Sequence, residues 1–134
     1  MDDLELLKAT IAVAVADGEL LRSERGVIEG LARRLGVGGA SLEAMIEAVG
    51  EDADAPDNIL FLSKDKARAA LELVVAQARI DGEICHAERG VIARIAHALG
   101  IVDEELHDIY QKGVRRADAL RRSRSTTGPA KRSK

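Results

Sequence analysis

The chain has almost no aromatic residues: Phe61 and Tyr110 are the two among 134, and tryptophan is absent. Its core must therefore be aliphatic, and single-stranded nucleic-acid binding on stacked rings, which needs several exposed aromatics, is disfavoured. Cysteine occurs once, at Cys85, so no intrachain disulfide is available and a reducing cytoplasm is the expected setting. Long apolar runs are also missing. The uncharged stretch 9–16 falls far short of the roughly 20 residues of a membrane span. No basic region opens the chain, because Asp2, Asp3 and Glu5 stand where a signal peptide would carry one. What remains is 46% hydrophobic and 32% charged, the balance of one globular domain rather than of a disordered or membrane-spanning chain.

The formal charge of −3 hides a division along the chain. Residues 1–110 hold 22 Asp and Glu against 11 Lys and Arg, whereas 111–134 hold nine basic residues against Asp118 alone. From Arg121 the sequence RRSRSTTGPAKRSK has no apolar periodicity and contains Ser, Thr, Gly and Pro. Residues 113–134 are thus expected to be a helix end followed by a basic disordered tail. Such a tail suits peripheral contact with an anionic membrane or with nucleic acid.

An internal repeat organises the rest. At an offset of 64, DGELLRSERGVIEGLARRLGV at 17–37 aligns with DGEICHAERGVIARIAHALGI at 81–101. The same offset pairs Leu7 with Leu71, Ala12 with Ala76 and Leu42 with Leu106, so duplication of a helical unit accounts for residues 4–49 and 68–112, with 50–67 as linker. Each unit reads as three helices. Leu4, Leu7, Ile11 and Val15 recur at helical spacing before Gly18; Val27, Ile28, Leu31 and Leu35 follow and end at Gly36; Ser41 is a candidate cap for a third helix with Leu42, Met45, Ile46 and Val49. The second unit repeats the pattern through Leu71, Val74, Val75 and Ala78, then Val91, Ile92, Ile95 and Leu99, then Leu106, Ile109 and Tyr110. In the linker, the apolar run 59–62 is a candidate short helix. No stretch alternates as a half-buried strand does, so the fold is expected to be all-α. Gly26 and Gly90, equivalent and mid-helix, where glycine costs about 1 kcal/mol against alanine, are expected to mark a close helix approach, the alternative being tolerated surface glycines inherited from before the duplication.

The two DGE-x4-E-x3-I segments, each closing on Leu-Gly, resemble the TerB-like family, named for a bacterial tellurite-resistance protein; the match spans about residues 4–110. Similar domains stand at the N-terminus of a membrane-anchored DnaJ-like co-chaperone. The resemblance implies a pseudo-twofold helical bundle over residues 1–112, a role in bacterial stress response, and clustered acidic residues forming a metal site. Carried onto this chain, those positions are Asp17, Glu19, Glu24, Asp81, Glu83 and Glu88. The chain departs from similar sequences at Leu21 and Cys85, where Ser or Thr is common.

Six carboxylates at this spacing suit a hard divalent cation such as Ca²⁺, Mg²⁺ or Mn²⁺, with Zn²⁺ a further candidate. The stretch from Asp17 to Glu24 matches the latter half of an EF-hand loop. Its first half fails, because the leading ligand positions are Val13 and Val15 in one copy and Gln77 and Arg79 in the other. A cation would have to be shared between loops or completed by water. The competing reading is structural: Asp before Gly makes an Asx-turn, a glutamate entering a helix is stabilised by the positive helix end, and Glu24 and Glu88 have Arg25, Arg89 and Arg79 as neighbours. Cys85, His86 and His97 fall short of a zinc or nucleophile constellation. No phosphate loop or Ser-His-Asp grouping is legible, so a non-enzymatic protein is expected, either a cation-binding module or an adaptor whose acidic surface meets a protein partner.

Overall fold

In the computed structural model the backbone is described for residues 2–132 apart from 19, 21, 81 and 82, and side chains for the same residues apart from 2, 23 and 123–132. Those residues form six α-helices and no strand: α1 (Asp2–Ala14), α2 (Arg22–Arg34), α3 (Gly39–Glu51), α4 (Lys64–Ile80), α5 (His86–Ala98) and α6 (Asp103–Arg132), with a 3₁₀ turn at Ala55–Asn58. The all-α expectation holds. No helix among the described residues is long and apolar enough to cross a membrane.

The uncharged run that begins at Ala9 explains the place of α1. Leu7, Ala9, Ile11, Ala12, Val13 and Ala14 are all buried, which leaves the second half of this helix with apolar neighbours all round. Leu7, Ile11, Ala12 and Ala14 pack with Ile28, Leu31 and Ala32 of α2 and Leu42 and Val49 of α3. Ala9 and Val13 face the other way, into a cluster with Leu71, Val74 and Val75 of α4, Ile92, Ile95 and Ala96 of α5, and Ile109 of α6. One helix is thus the common wall of both apolar clusters.

The sequence repeat persists in local structure. Bounds of α2 and α5 differ by 64 residues at both ends, and so do the first residues of α3 and α6. Both middle helices stop by the same device. Gly36 and Gly100 turn left-handed at φ 78° and 77°, and the N–H groups of Val37 and Ile101 donate 2.9 Å bonds back to the Ala32 and Ala96 carbonyls. An L side chain would be strained there, which is why Leu-Gly closes each unit's second helix.

Several local expectations are corrected. Gly26 and Gly90 are exposed, and a Cβ on either would meet nothing within 4 Å, so they are surface glycines rather than contact points. The close approach lies at Gly113, where a Cβ would sit 2.8 Å from the Val75 Cβ and 2.9 Å from the Glu72 carbonyl, because α6 presses on α4. Its repeat counterpart is Val49, so the third helices of the two units pack differently. Ser41 does not cap α3. Gly38, in extended backbone, is the N-cap, and its carbonyl accepts from the Leu42 N–H at 2.9 Å, which places Ser41 inside the helix. The run 59–62 is not helical; the short helix falls one turn earlier, where Pro56 fixes a helical start. Ile59 points into the core at 2% exposure while Leu60 and Leu62 are exposed, an extended alternation held by the Leu60 N–H donating to Glu5 Oε1 at 2.8 Å. Leu4, grouped with the apolar face by spacing, is 42% exposed. The backbone of α6 continues past Arg121 as helix, since Arg, Ala and Leu over 115–122 are good helix formers and none of them stops the turn begun at Asp103.

Gly113→Ala is expected to destabilise the protein by about 1–3 kcal/mol, since a Val75 side chain and a helix carbonyl must both shift. Gly26→Ala and Gly90→Ala are expected to stabilise it by about 0.5–1 kcal/mol. Urea denaturation of the three variants tests the pairing, and equal effects at Gly113 and Gly90 would contradict it.

Candidate functional site between the acidic loops

Each acidic loop joins the first helix of a unit to its second. In the first, α1 ends at Ala14, Asp17 stands exposed before Gly18 at φ 88°, and Glu24 enters the first turn of α2 half-buried. In the second, α4 ends at Ile80, Cys85 is the N-cap of α5, and Glu88 sits in its first turn at 8% exposure. Glu88 is kept there by a bond it accepts: the Cys85 N–H donates to Glu88 Oε1 at 2.8 Å. That bond is the glutamate half of a capping box, the half that does not depend on Ser or Thr at the N-cap.

Glu24 and Glu88 reach the same cavity, one from each repeat. Its volume is about 30 Å³, room for water or a small ion and too little for an organic ligand. The lining contains four pairs at the 64-residue offset: Thr10 with Val74, Val13 with Gln77, Ala14 with Ala78, and Glu24 with Glu88. Two further oxygens therefore stand on the α1 and α4 walls. The Thr10 hydroxyl donates to the Leu6 carbonyl at 2.9 Å and has the Gln77 Oε1 at 3.3 Å, a weaker second acceptor. Sequence reasoning missed Thr10 and Gln77. Their signal was present: each is a polar residue at a position where the other repeat carries valine.

The remaining acidic positions separate. Glu83 is exposed and accepts from Arg79, whose Nη1 lies 3.0 Å away and whose Nε is 3.6 Å from Asp118 of α6. Hydrogen bonding to Glu83 raises the Arg79 pKa further, so this guanidinium stays charged. Glu19 and Asp81 lie outside the described residues. Among the described residues no three or more His, Cys, Asp or Glu side chains are gathered as a metal group. His97 lies 3.1 Å from Asp103 at the α5–α6 turn, away from Cys85 and His86. The basic segment 121–134, expected to meet an anionic membrane or nucleic acid, is described in its side chains only at Arg121 and Arg122.

Tyr110, a simple apolar-face residue by its spacing, flanks the second loop. Its ring lies 5.2 Å below the Arg89 guanidinium, and its buried hydroxyl has no hydrogen-bond partner among the described residues. Burial raises the phenol pKa above its ordinary value near 10, Arg89 opposes this, and the charge of Glu88 adds to it.

No family model, curated protein or solved structure matches this chain.

Glu88→Ala is expected to cost about 1 kcal/mol of stability through the lost helix cap, and Glu88→Gln less, because the amide oxygen still accepts from Cys85; thermal melting of both variants checks the order. Tyr110 is the only tyrosine, so ultraviolet titration reads it alone. It is expected to ionise at higher pH in the native protein than in denaturant. The stability this contributes is complete below about pH 10, where both states keep the proton, and is lost as pH rises through the shifted value. Identical titration in both states would contradict the buried hydroxyl.

Proposed function

We propose that this chain is a cytoplasmic, non-enzymatic TerB-like protein of the bacterial stress-response, tellurite-resistance type. In this reading its two three-helix units are related by an approximate twofold, and it binds a divalent cation between its acidic loops. The observation that carries the reading is the arrival of Glu24 and Glu88, one per repeat, at one cavity. Matching helix bounds and matching glycine stops at the 64-residue offset support the twofold part.

The donor set fits a hard cation in kind. Two carboxylates, an amide oxygen and a hydroxyl are oxygen ligands of the sort Ca²⁺, Mg²⁺ and Mn²⁺ take, whereas Zn²⁺ favours nitrogen and sulfur, and water would complete the shell. Glu24 and Glu88 would supply the charge; Thr10 and Gln77 would orient neutral oxygens from the shared wall. A bound cation would tie the start of α2 to the start of α5. In a stress response that gives a module whose rigidity follows cation occupancy, available to a protein partner.

A second reading is favoured by specific contacts. Glu88 already caps α5, and Glu83 already holds Arg79. On this view the acidic loops are structural, and the protein is an adaptor for a protein partner.

Calorimetry and thermal melting with Ca²⁺, Mg²⁺, Mn²⁺ and Zn²⁺ separate the two. The cation reading expects heat of binding and a rise in melting temperature, as for any ligand selective for the native state. Glu24→Gln should remove that rise while leaving the helical circular dichroism unchanged. Melting indifferent to all four metals would leave the adaptor reading.

A further inference from the structure

The outer faces of the two third helices carry opposite charge. Residues 39–54, α3 and the turn after it, hold five acidic residues and no basic one, while 111–122 of α6 hold five basic residues and Asp118 alone. The contrast falls on equivalent positions: Glu43, Glu47 and Glu51 correspond at the 64-residue offset to His107, Gln111 and Arg115.

On α3 the three glutamates are exposed and lie one turn apart, at i, i+4 and i+8. Like charges so placed repel and weaken the helix by a few tenths of a kcal/mol per pair, so the stripe persists against its own interest unless positive charge meets it. Arg25 reaches Glu43, but Glu47 and Glu51 have no ion pair among the described residues. On α6 the buried side is Leu106, Ile109, Gly113 and Ala117, which turns Lys112, Arg115 and Arg122 outward. Lys112 pairs with Asp108 at 3.1 Å, while Arg115 has no ion pair among the described residues.

The two faces do not neutralise each other within one molecule over this stretch. α3 packs on α1 and α2, α6 packs on α4, and no ion pair joins α3 to α6 among the described residues. From this charge complementarity we infer that a second copy of the chain is the partner: the acidic α3 face of one molecule docks against the basic α6 face of the next. A long polyanion fits less well, because it would meet the basic α6 stripe and leave the acidic α3 stripe unanswered, whereas a second copy answers both. A second copy supplies an acidic stripe of about three helical turns against a basic stripe of similar length.

Such an interface joins two different faces, so it closes as a twofold dimer where both α3–α6 pairs form at once and otherwise leaves one acidic and one basic face open. With exposed charges and little apolar area it is weak and sensitive to salt. Sedimentation of the full chain over a concentration series should show association at about 0.01 M salt and monomer at about 1 M, where the Debye length falls from about 30 Å to about 3 Å. Charge reversal makes the test specific. Glu47→Lys/Glu51→Lys and Lys112→Glu/Arg115→Glu should each weaken self-association about tenfold or more, with unchanged circular dichroism, and an equimolar mixture of the two variants should associate again. Four outcomes overturn the inference: a wild-type monomer at low salt, association indifferent to either reversal, no recovery in the mixture, or a low-salt monomer that instead binds anionic phospholipid vesicles.

Discussion

Burial of α1 on both sides is the constraint from which the rest of the architecture follows. Its second half has no exposed face, so α2 and α3 must lie against one side and α4 and α5 against the other. A helix in that position needs small and aliphatic residues all round, and a run of Ala, Ile and Val supplies them. Because α1 belongs to both clusters, neither unit has a complete core without it. A cavity-forming change at Ile11 or Val13 would therefore loosen one cluster directly and the other through the shared backbone.

The same constraint leaves the cavity between the loops mostly aliphatic, with Thr10, Gln77, Glu24 and Glu88 as its polar members. Thr10 and Gln77 stand on the walls formed by α1 and α4, where valine occupies the equivalent positions and would pack without any hydrogen-bonding debt. Thr10 satisfies itself on the Leu6 carbonyl one turn back, so its hydroxyl does not require Gln77. Glu24, half-buried, and Glu88, buried, add two carboxylates to this lining. Residues that packing alone would not select have gathered where the two loops meet.

Around Glu88 and Arg79 the loops are also joined to α6. Glu83, Arg79, Asp118 and Arg121 form a chain of ion pairs from the second loop to the last helix, with distances of 3.0, 3.6 and 3.8 Å. These charges are partly exposed, so the chain contributes register more than stability. Tyr110, also on α6, brings its ring beneath Arg89 of α5. The second unit is thus tied to its third helix by charge and by the close seat of Gly113, whereas the first unit has the Arg25–Glu43 ion pair to its third helix and Val49 in place of that glycine.

Helix number, the 64-residue repeat, the Leu-Gly stops and the aliphatic core were legible in the sequence, because 3.6-residue periodicity and left-handed glycine are local properties that packing only confirms. The sequence named Asp17, Glu19, Glu24, Asp81, Glu83 and Glu88 alike, and did not show that Glu24 and Glu88 share a cavity while Glu83 turns to Arg79. Tertiary structure alone decided that, since the partner of a carboxylate depends on which helix end lies nearby. It likewise decided that Gly113 rather than Gly26 or Gly90 marks the close approach: a glycine's local cost is the same at all three, and only the neighbouring helix gives one of them a purpose. Tyr110 read as an ordinary member of an apolar stripe, Gln77 only as a failed EF-hand position and Thr10 not at all until α1, α4 and α6 were placed beside the loops, because hydroxyls and amides carry no periodicity of their own.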